Sequence, residues 1–579
     1  MVEPSRGVVT GPREEFAATG SDDAPGATLS ATREPGEPPP AGVGGGRWRR
    51  TWDNLDRNGL RVFWVAVAVA LLLQLALFLA VSTFRYHRFD LYTDFGTYAQ
   101  AFSVIAHGNL DPFDTFQTYP FWQNHFELAM WPIGLLGSVW PHPIVLLWMQ
   151  DIAVVATELV ALLWIGQICA ERVGPRRQQV ALIVLVATVA NAWWWEATIF
   201  DVHFETFGMP FALLSAYALW QGRYRTAWAA ALVGLLFGDV VALSILFVGV
   251  AGLLSARVRT RGRGVWHAAG LAALGVAWLI LVTALHGNRG SAVPIYYGWI
   301  VHEPSNASSW AVFGSLAAHP SADLHVLRTQ TGAMWRVVAT GGALGLLTPW
   351  GLLQAIAVLV PVALNINGSF WLLPVGAFQT VTAVPFVLVG TVMVLVWVGT
   401  GQPEWPRLRA EHGHRRLAPW RGPAAWVLGA AVLVLALSQS LPLWDQLASG
   451  WDTPSILSSV SGSAATQLRA VQSEIPAGAE LVVSGGVVGR FTDRQAVYPV
   501  EPAPQNPIPI TSPTVVFVLT DQGEEGVTPS GEQADATFVA HQLGATPLLH
   551  KDGVTAYVWH PAPGTPPLVL PTTNAAAHP

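Results

Sequence analysis

Apolar runs broken by short polar, arginine-bearing stretches fill the chain from Val62 to about Leu443. The first, Val62 to Ser82, carries no charge and is long enough to cross the roughly 30 Å hydrocarbon core of a bilayer as one helix. The same pattern predicts about eleven spans, near 62–83, 143–169, 179–196, 207–221, 226–238, 240–255, 265–286, 333–347, 350–365, 376–399 and 424–443. Several are short. Thr226 to Ser255 has arginines on both flanks and must turn back within the membrane, with Gly238 and Asp239 at the bend. Pro349, which lacks an N–H, breaks Ala333 to Asn365 into a second hairpin. Short helices of this kind are tolerated only where their ends are buried in protein or face water, which points to a cavity on the outer side.

Arginines set the orientation, because positive residues beside short loops stay on the cytoplasmic side. Arg47, Arg49, Arg50, Arg57 and Arg61 precede the first span. Later groups at Arg172, Arg176 and Arg177, at Arg223 and Arg225, and at Arg257, Arg259, Arg261 and Arg263 fall on that same side when the spans alternate. The N-terminus is then cytoplasmic, and 84–142 and 287–332 are outer loops. Residues 1–46, rich in Pro, Gly and Ala and without apolar periodicity, read as a disordered cytoplasmic tail. The transmembrane domain is 47–443. In 444–579, apolar stretches such as Glu480–Ser484 and Thr514–Leu519 alternate with Gly, Pro and Asp, as in a small α/β domain, and an odd number of spans puts it outside. The expected fold class is a mainly α, polytopic protein of the plasma membrane with an outer α/β domain.

Composition sharpens this picture. Of 579 residues, 52% are hydrophobic and 12% charged, against about 25% charged in soluble domains. Mean hydropathy is +0.40, and the 27 tryptophans suit the headgroup region of a bilayer. Membrane lipids are therefore the first expected partner. With a net charge of −6 and no basic face in a folded segment, nucleic acid is excluded as a partner. Cys169 is the only cysteine, which rules out a disulfide within the chain and a thiolate metal site. Lys551 is the only lysine, a coding bias of a GC-rich, actinobacteria-like genome.

Candidate chemistry sits just past the first span, in Phe89-Asp90-Leu91-Tyr92-Thr93-Asp94-Phe95-Gly96-Thr97-Tyr98-Ala99-Gln100. A carboxylate in a partly dry site at the membrane surface can accept a proton from a hydroxyl or ligate a metal. A second group is Phe200-Asp201-Val202-His203-Phe204-Glu205, where side chains alternating with period two would put Asp201, His203 and Glu205 on one face of an extended segment. Such a face could hold a divalent cation, the candidate cofactor, with Asp94, Asp201 and His203 as its candidate ligands, or supply an acid and a base together. All these residues could equally be solvated loop acids or helix caps. Asp239, at membrane depth, is expected to face a cavity or a partner. No phosphate-binding loop, GxSxG elbow, HExxH helix or CxxC pair is present in a fitting context.

Four stretches resemble one family of bacterial membrane proteins, the domain of unknown function 2079. Thr93 to Gln100 is similar to its Asp-Leu-Gly-Ile-Phe-Asp-Gln element, with Asp94, Gly96 and Gln100 matching and Ala99 in place of the second acid. His125-Phe126 resembles its His-Phe step and Asp201-Val202-His203 its Asp-x-His element. Glu474-Ile475-Pro476-Ala477 through Arg490, Arg494 and Tyr498 resembles its final region. The likeness runs from about Asp90 to Trp559. That family looks related to GT-C glycosyltransferases, which take a sugar from a polyprenyl phosphate carrier and use an acidic first outer loop. The resemblance implies a GT-C-like helical arrangement, Asp94 as general base or metal ligand, and Asp201 and His203 as further catalytic candidates. Gln100, His125, Glu205, Asp239 and Arg289 are the substrate-binding candidates. The implied activity is transfer of a sugar from a polyprenyl-phosphate donor to an acceptor on the outer face. The alternatives are a transporter, or a non-catalytic protein that binds lipid or a partner.

Overall fold

The computed structural model describes residues 45–124, 126–172, 185, 187–199, 201–286, 297–301, 309–364, 382–400, 421–449, 458–500, 507–523 and 527–572. His125, Arg289 and residues 1–44 of the expected tail lie outside the described residues. Contacts divide the chain into Met1–Leu55 and Asp56–Pro579, and the packing below is that of the second unit.

Helices dominate. Among the described residues three are long and apolar enough to cross a membrane, over Phe63–Arg88, Ile144–Glu171 and Arg263–Leu285, and shorter apolar helices cover Asp239–Leu254, Pro349–Leu364, Val384–Thr400 and Pro423–Gln439. The first crossing segment belongs to helix α1 (Gly45–Arg88), which outruns its apolar stretch at both ends. At the far end Arg85 and Tyr86 stay helical because protein covers them, each about 95% buried. The helix stops in a Schellman turn: the Phe89 N–H donates to the Tyr86 carbonyl and the Asp90 N–H to the Arg85 carbonyl. The left-handed position is filled by Phe89, at φ 65°, where glycine is usual and a bulky side chain costs energy. Burial offsets that cost, since the Phe89 ring is fully covered and lies 5.6 Å from the Phe491 ring.

The chain then enters α2 (Thr93–Ala106), a short hairpin of β1 (Phe113–Asp114) and β2 (Tyr119–Pro120), and the short helices α3 (Phe121–Asn124) and α4 (Met130–Leu136). It returns through α5 (Ile144–Arg172), α6 (Ala192–Ile199) and α7 (Phe204–Gln221). Next, α8 (Tyr224–Leu235) and α9 (Asp239–Leu254) turn at Gly238, whose φ of 110° requires glycine, so the bend falls where expected. After α10 (Arg263–His286), the expected break before Pro349 is present, with Thr348 extended, and it begins earlier in the chain. A helix over Thr331–Thr340 ends at Gly341-Gly342-Ala343, with φ of 91° at Gly342 and 56° at Ala343. Pro349 instead opens α11 (Pro349–Leu364), where its missing N–H is no loss. Helices α12 (Val384–Thr400) and α13 (Arg421–Ser449) complete this region.

Polar rungs cross the seam between α1 and α5. Gln74 Nε2 donates to Glu158 Oε1 at 2.8 Å, Ser82 Oγ to Asp151 Oδ1 at 3.1 Å, and Trp148 Nε1 to Thr83 Oγ1 at 3.0 Å. Partners descend along α5 as they rise along α1, so the two helices are antiparallel and fixed in register.

Residues 458–572 form an α/β layer structure. Its five strands, β3 (Glu480–Ser484), β4 (Val497–Val500), β5 (Val515–Thr520), β6 (Thr546–Lys551) and β7 (Val554–Trp559), lie in the order β4-β3-β5-β7-β6. The first three are parallel, and β7 runs antiparallel to both β5 and β6. Alternation splits β5 between two cores. Val516 and Val518 pack with Ala464, Leu468 and Val471 of α14 (Gly462–Glu474), while Val515, Phe517 and Leu519 face Ala536 of α15 (Pro529–Thr537) and Val539. β3, β4 and β5 are buried along their whole length, as in sheets covered on two sides.

Candidate functional site

A carboxylate from the segment between α6 and α7 caps α2. Asp201 Oδ2 accepts from the backbone N–H of Tyr92 at 2.9 Å and of Phe95 at 3.0 Å, which meets donors that a helix start leaves open and places negative charge at the positive end of its dipole. Burial pushes Asp201 up to about 7, against the pull of the Arg85 cation and the Phe95 N–H. Asp201 thus holds the helix that carries Asp94.

Residues 201–203 lie outside helix and strand, and His203 has an extended backbone (φ −135°, ψ 128°) before α7 begins at Phe204. Gln150, on α5, clamps it: its Oε1 accepts from the His203 N–H at 2.8 Å, and its Nε2 donates to the carbonyls of Ala197 at 2.9 Å and Asp201 at 3.3 Å. His203 Nε2 lies 3.3 Å from Asp94 Oδ2, and its Nδ1 lies 3.9 Å from Glu205 Oε2. The His203 side chain is 9% exposed and that of Asp94 47%, so the pair has a buried imidazole and an open carboxylate. Burial alone would lower His203, but the hydrogen bond to Asp94 and the charges of Asp94, Glu205 and Asp201 raise it above its ordinary value. Glu205 sits in the first turn of α7, not on an extended strand, yet the helix start still presents it to the imidazole.

Further acids close the group. Tyr98, one turn beyond Asp94 on α2, donates from its hydroxyl to Glu127 Oε1 at 3.3 Å, and burial with the Glu127 carboxylate drives the phenol well above its ordinary value. Glu127 lies against the turn between α8 and α9, its Cγ 3.5 Å from where a Cβ on Gly238 would stand. The Ala129 N–H also donates to the Leu236 carbonyl there, at 2.9 Å. Asp239 is exposed at the start of α9, within electrostatic reach of Glu205. Asp94, His203, Glu205 and Asp239 therefore gather in one neighbourhood.

Gln100 does not join them. Its amide donates to Thr115 Oγ1 and the Gln495 carbonyl, both at 2.8 Å, and its oxygen accepts from the Thr115 N–H at 3.1 Å. The side chain fastens α2 to residues 113–115 and to the loop before β4, so it serves the scaffold. Asp90 does the same for α1, accepting from Arg85 Nε at 3.3 Å and from Ser459 Oγ at 2.5 Å. Among the described residues no group of three or more His, Cys, Asp or Glu is spaced to hold a metal ion. Asp201 accepts instead from the backbone N–H groups of Tyr92 and Phe95, and His203 Nε2 pairs with Asp94 Oδ2 at 3.3 Å.

Sequence reasoning passed over Gln150, Tyr98 and Arg85. Two signals were there to be read: an amide beside Asp151 in the apolar run of α5, and a tyrosine four residues after Asp94 on the same helix face.

Fold and cluster together define a mainly helical membrane protein that gathers acids and one imidazole where α2 meets α7. The chain belongs to the family described as "Predicted membrane protein (DUF2079)", which matches residues 85–553. The solved structures similar to it include two of ArnT from Cupriavidus metallidurans. The form bound to undecaprenyl phosphate is 15% identical with a TM-score of 0.39, and the apo form 14% identical with a TM-score of 0.38. Each alignment covers 83% of this chain and 97% of ArnT. No curated protein matches the chain.

Proposed function

We propose that the protein transfers a sugar from a polyprenyl-phosphate donor to an acceptor hydroxyl on the outer face of the plasma membrane. The observation that carries this reading is the Asp94–His203 pair, an open carboxylate oriented by a buried imidazole at 3.3 Å. In the reaction Asp94 accepts the acceptor hydroxyl proton as the acceptor oxygen bonds to the sugar's anomeric carbon. The bond from that carbon to the phosphate oxygen breaks, and its electron pair leaves with the polyprenyl phosphate. His203 positions Asp94, and Asp201 and Gln150 position both. The reading takes the topology as about eleven spans with the N-terminus cytoplasmic, 47–443 as the transmembrane domain, and 444–579 as an outer domain over the site.

The test offers purified protein in lipid a panel of polyprenyl-phosphate sugars and compares it with Asp94→Asn. Transfer that depends on Asp94 supports the reading, and full transfer by a well-folded Asp94→Asn protein would sink it. A second reading, a proton-coupled transporter, is favoured by one observation: Glu158 and Asp151 lie fully buried in the α1–α5 seam, where ionisable groups mark ion paths. Substrate uptake driven by a proton gradient in reconstituted vesicles, lost in Glu158→Gln, would select it.

A further inference from the structure

Between Glu127 and Asp151 the chain has no Asp, Glu, Lys or Arg. This stretch links the region around α2 to α5, and its first half is not a spanning helix. It contains α4, which lies on α2 through small residues. A Cβ on Gly134 would stand 2.7 Å from the Ile105 Cβ, and one on Gly137 2.7 Å from the Ala106 Cβ. With the glycine face turned inward, the bulky face turns out. Trp131, Leu135, Leu136, Val139 and Trp140 are all exposed, Val139 at 87%. Leu110 adds to them, and its carbonyl accepts from the indole N–H of both Trp122 and Trp131, at 3.1 and 3.0 Å, which ties the 107–111 turn to the same surface. Asn109, Asp111 and His142 rim it with polar groups.

A water-facing loop would not display such a patch. The patch is also continuous with the lipid-facing surface of the helices. The Trp140 ring packs edge-on against Trp148 of α5 at 6.0 Å, Trp148 hydrogen-bonds Thr83 of α1, and exposed Ile152 and Leu77 follow on those helices. Tryptophan with aliphatic residues and no charge is the composition of a surface that lies at the headgroup boundary. We infer that the 130–140 segment is a membrane-docking element, its Trp131–Trp140 face immersed in the bilayer surface beside α1 and α5. The occupant is lipid, whatever reaction Asp94 serves. Because α2 rests on this element, docking holds the helix that carries Asp94 at the bilayer surface.

The test uses the full chain in phosphatidylcholine–phosphatidylglycerol nanodiscs, with the buried Cys169 replaced in Cys169→Ala. Single nitroxides are attached at Val139→Cys, at Leu136→Cys as a second site, and at Asp493→Cys as an aqueous control. Oxygen should reach the first two labels while a water-soluble nickel chelate does not, with the order reversed at Asp493. Chelate access at Val139 and Leu136 equal to that at Asp493 overturns docking. So does protection from both reagents with spin–spin broadening, which would assign the patch to a second copy of the chain.

Discussion

Removing the Asp201 carboxylate tests whether a remote cap holds α2. Asp201→Ala deletes the acceptor of two short bonds, from the N–H groups of Tyr92 and Phe95, at a site with no exposure. A hydrogen bond to a charged group contributes about 1.5–3 kcal/mol. Two of them bound the loss at roughly 3–6 kcal/mol, and relaxation of the freed helix start favours the lower end. A loss of about 3 kcal/mol speeds local opening by roughly a hundredfold. Hydrogen exchange by mass spectrometry reads this directly, in nanodiscs at about pH 8, above the Asp201 value of about 7. Peptides covering Thr93–Ala106 should exchange about a hundredfold faster in Asp201→Ala. Asp201→Asn, which keeps a carbonyl oxygen, should lose much less, and β5 of the five-stranded sheet should not change in either variant. Unaltered exchange of α2 in Asp201→Ala would refute the cap.

Two further outcomes follow from the same geometry. Asp201, raised to about 7, holds a proton in the folded state that the unfolded chain releases near 3.9, and the raised His203 holds one above its ordinary 6.5. The folded state therefore binds more protons across both windows, and stability falls as pH rises through them. In thermal unfolding followed across pH, Asp201→Asn should flatten the lower part of that slope and His203→Gln the upper. Gly489→Ala places a Cβ 2.8 Å from Phe95 Cδ1 and 3.0 Å from the Leu91 carbonyl oxygen, a clash costing about 1–3 kcal/mol. Exchange should rise together in 485–491 and in the first turn of α2, while the β6–β7 hairpin stays protected.

What the sequence made legible was whatever depends on local pattern. The run from Val62 gave a crossing helix, Gly238 gave a bend, and Glu480–Ser484 is a strand as its apolar residues predict. The early end assigned to α1 failed because tertiary burial of Arg85 and Tyr86 extends it. The break expected at Pro349 is present but wider: Gly341 and Gly342 end the preceding helix, Thr348 is extended, and Pro349 opens the next helix. In the site, alternation brought Asp201 and His203 forward, but it could not reveal that one caps α2 while the other meets Asp94. Those partners lie more than a hundred residues away. Gln100 shared a motif with Asp94, yet six residues along α2 carry it to the loop before β4.

The rungs between α1 and α5 bear on how the chain enters the membrane at all. An acid at the centre of an inserting helix costs about 2.5–3.5 kcal/mol on insertion scales, and α5 carries two away from its ends, Asp151 and Glu158. Their hydrogen-bond donors, Ser82 and Gln74, belong to α1, which is synthesised earlier. During biogenesis α5 thus meets a partner already waiting in the bilayer, and the order of synthesis supplies the donors that its acids need before α5 must leave the insertion channel.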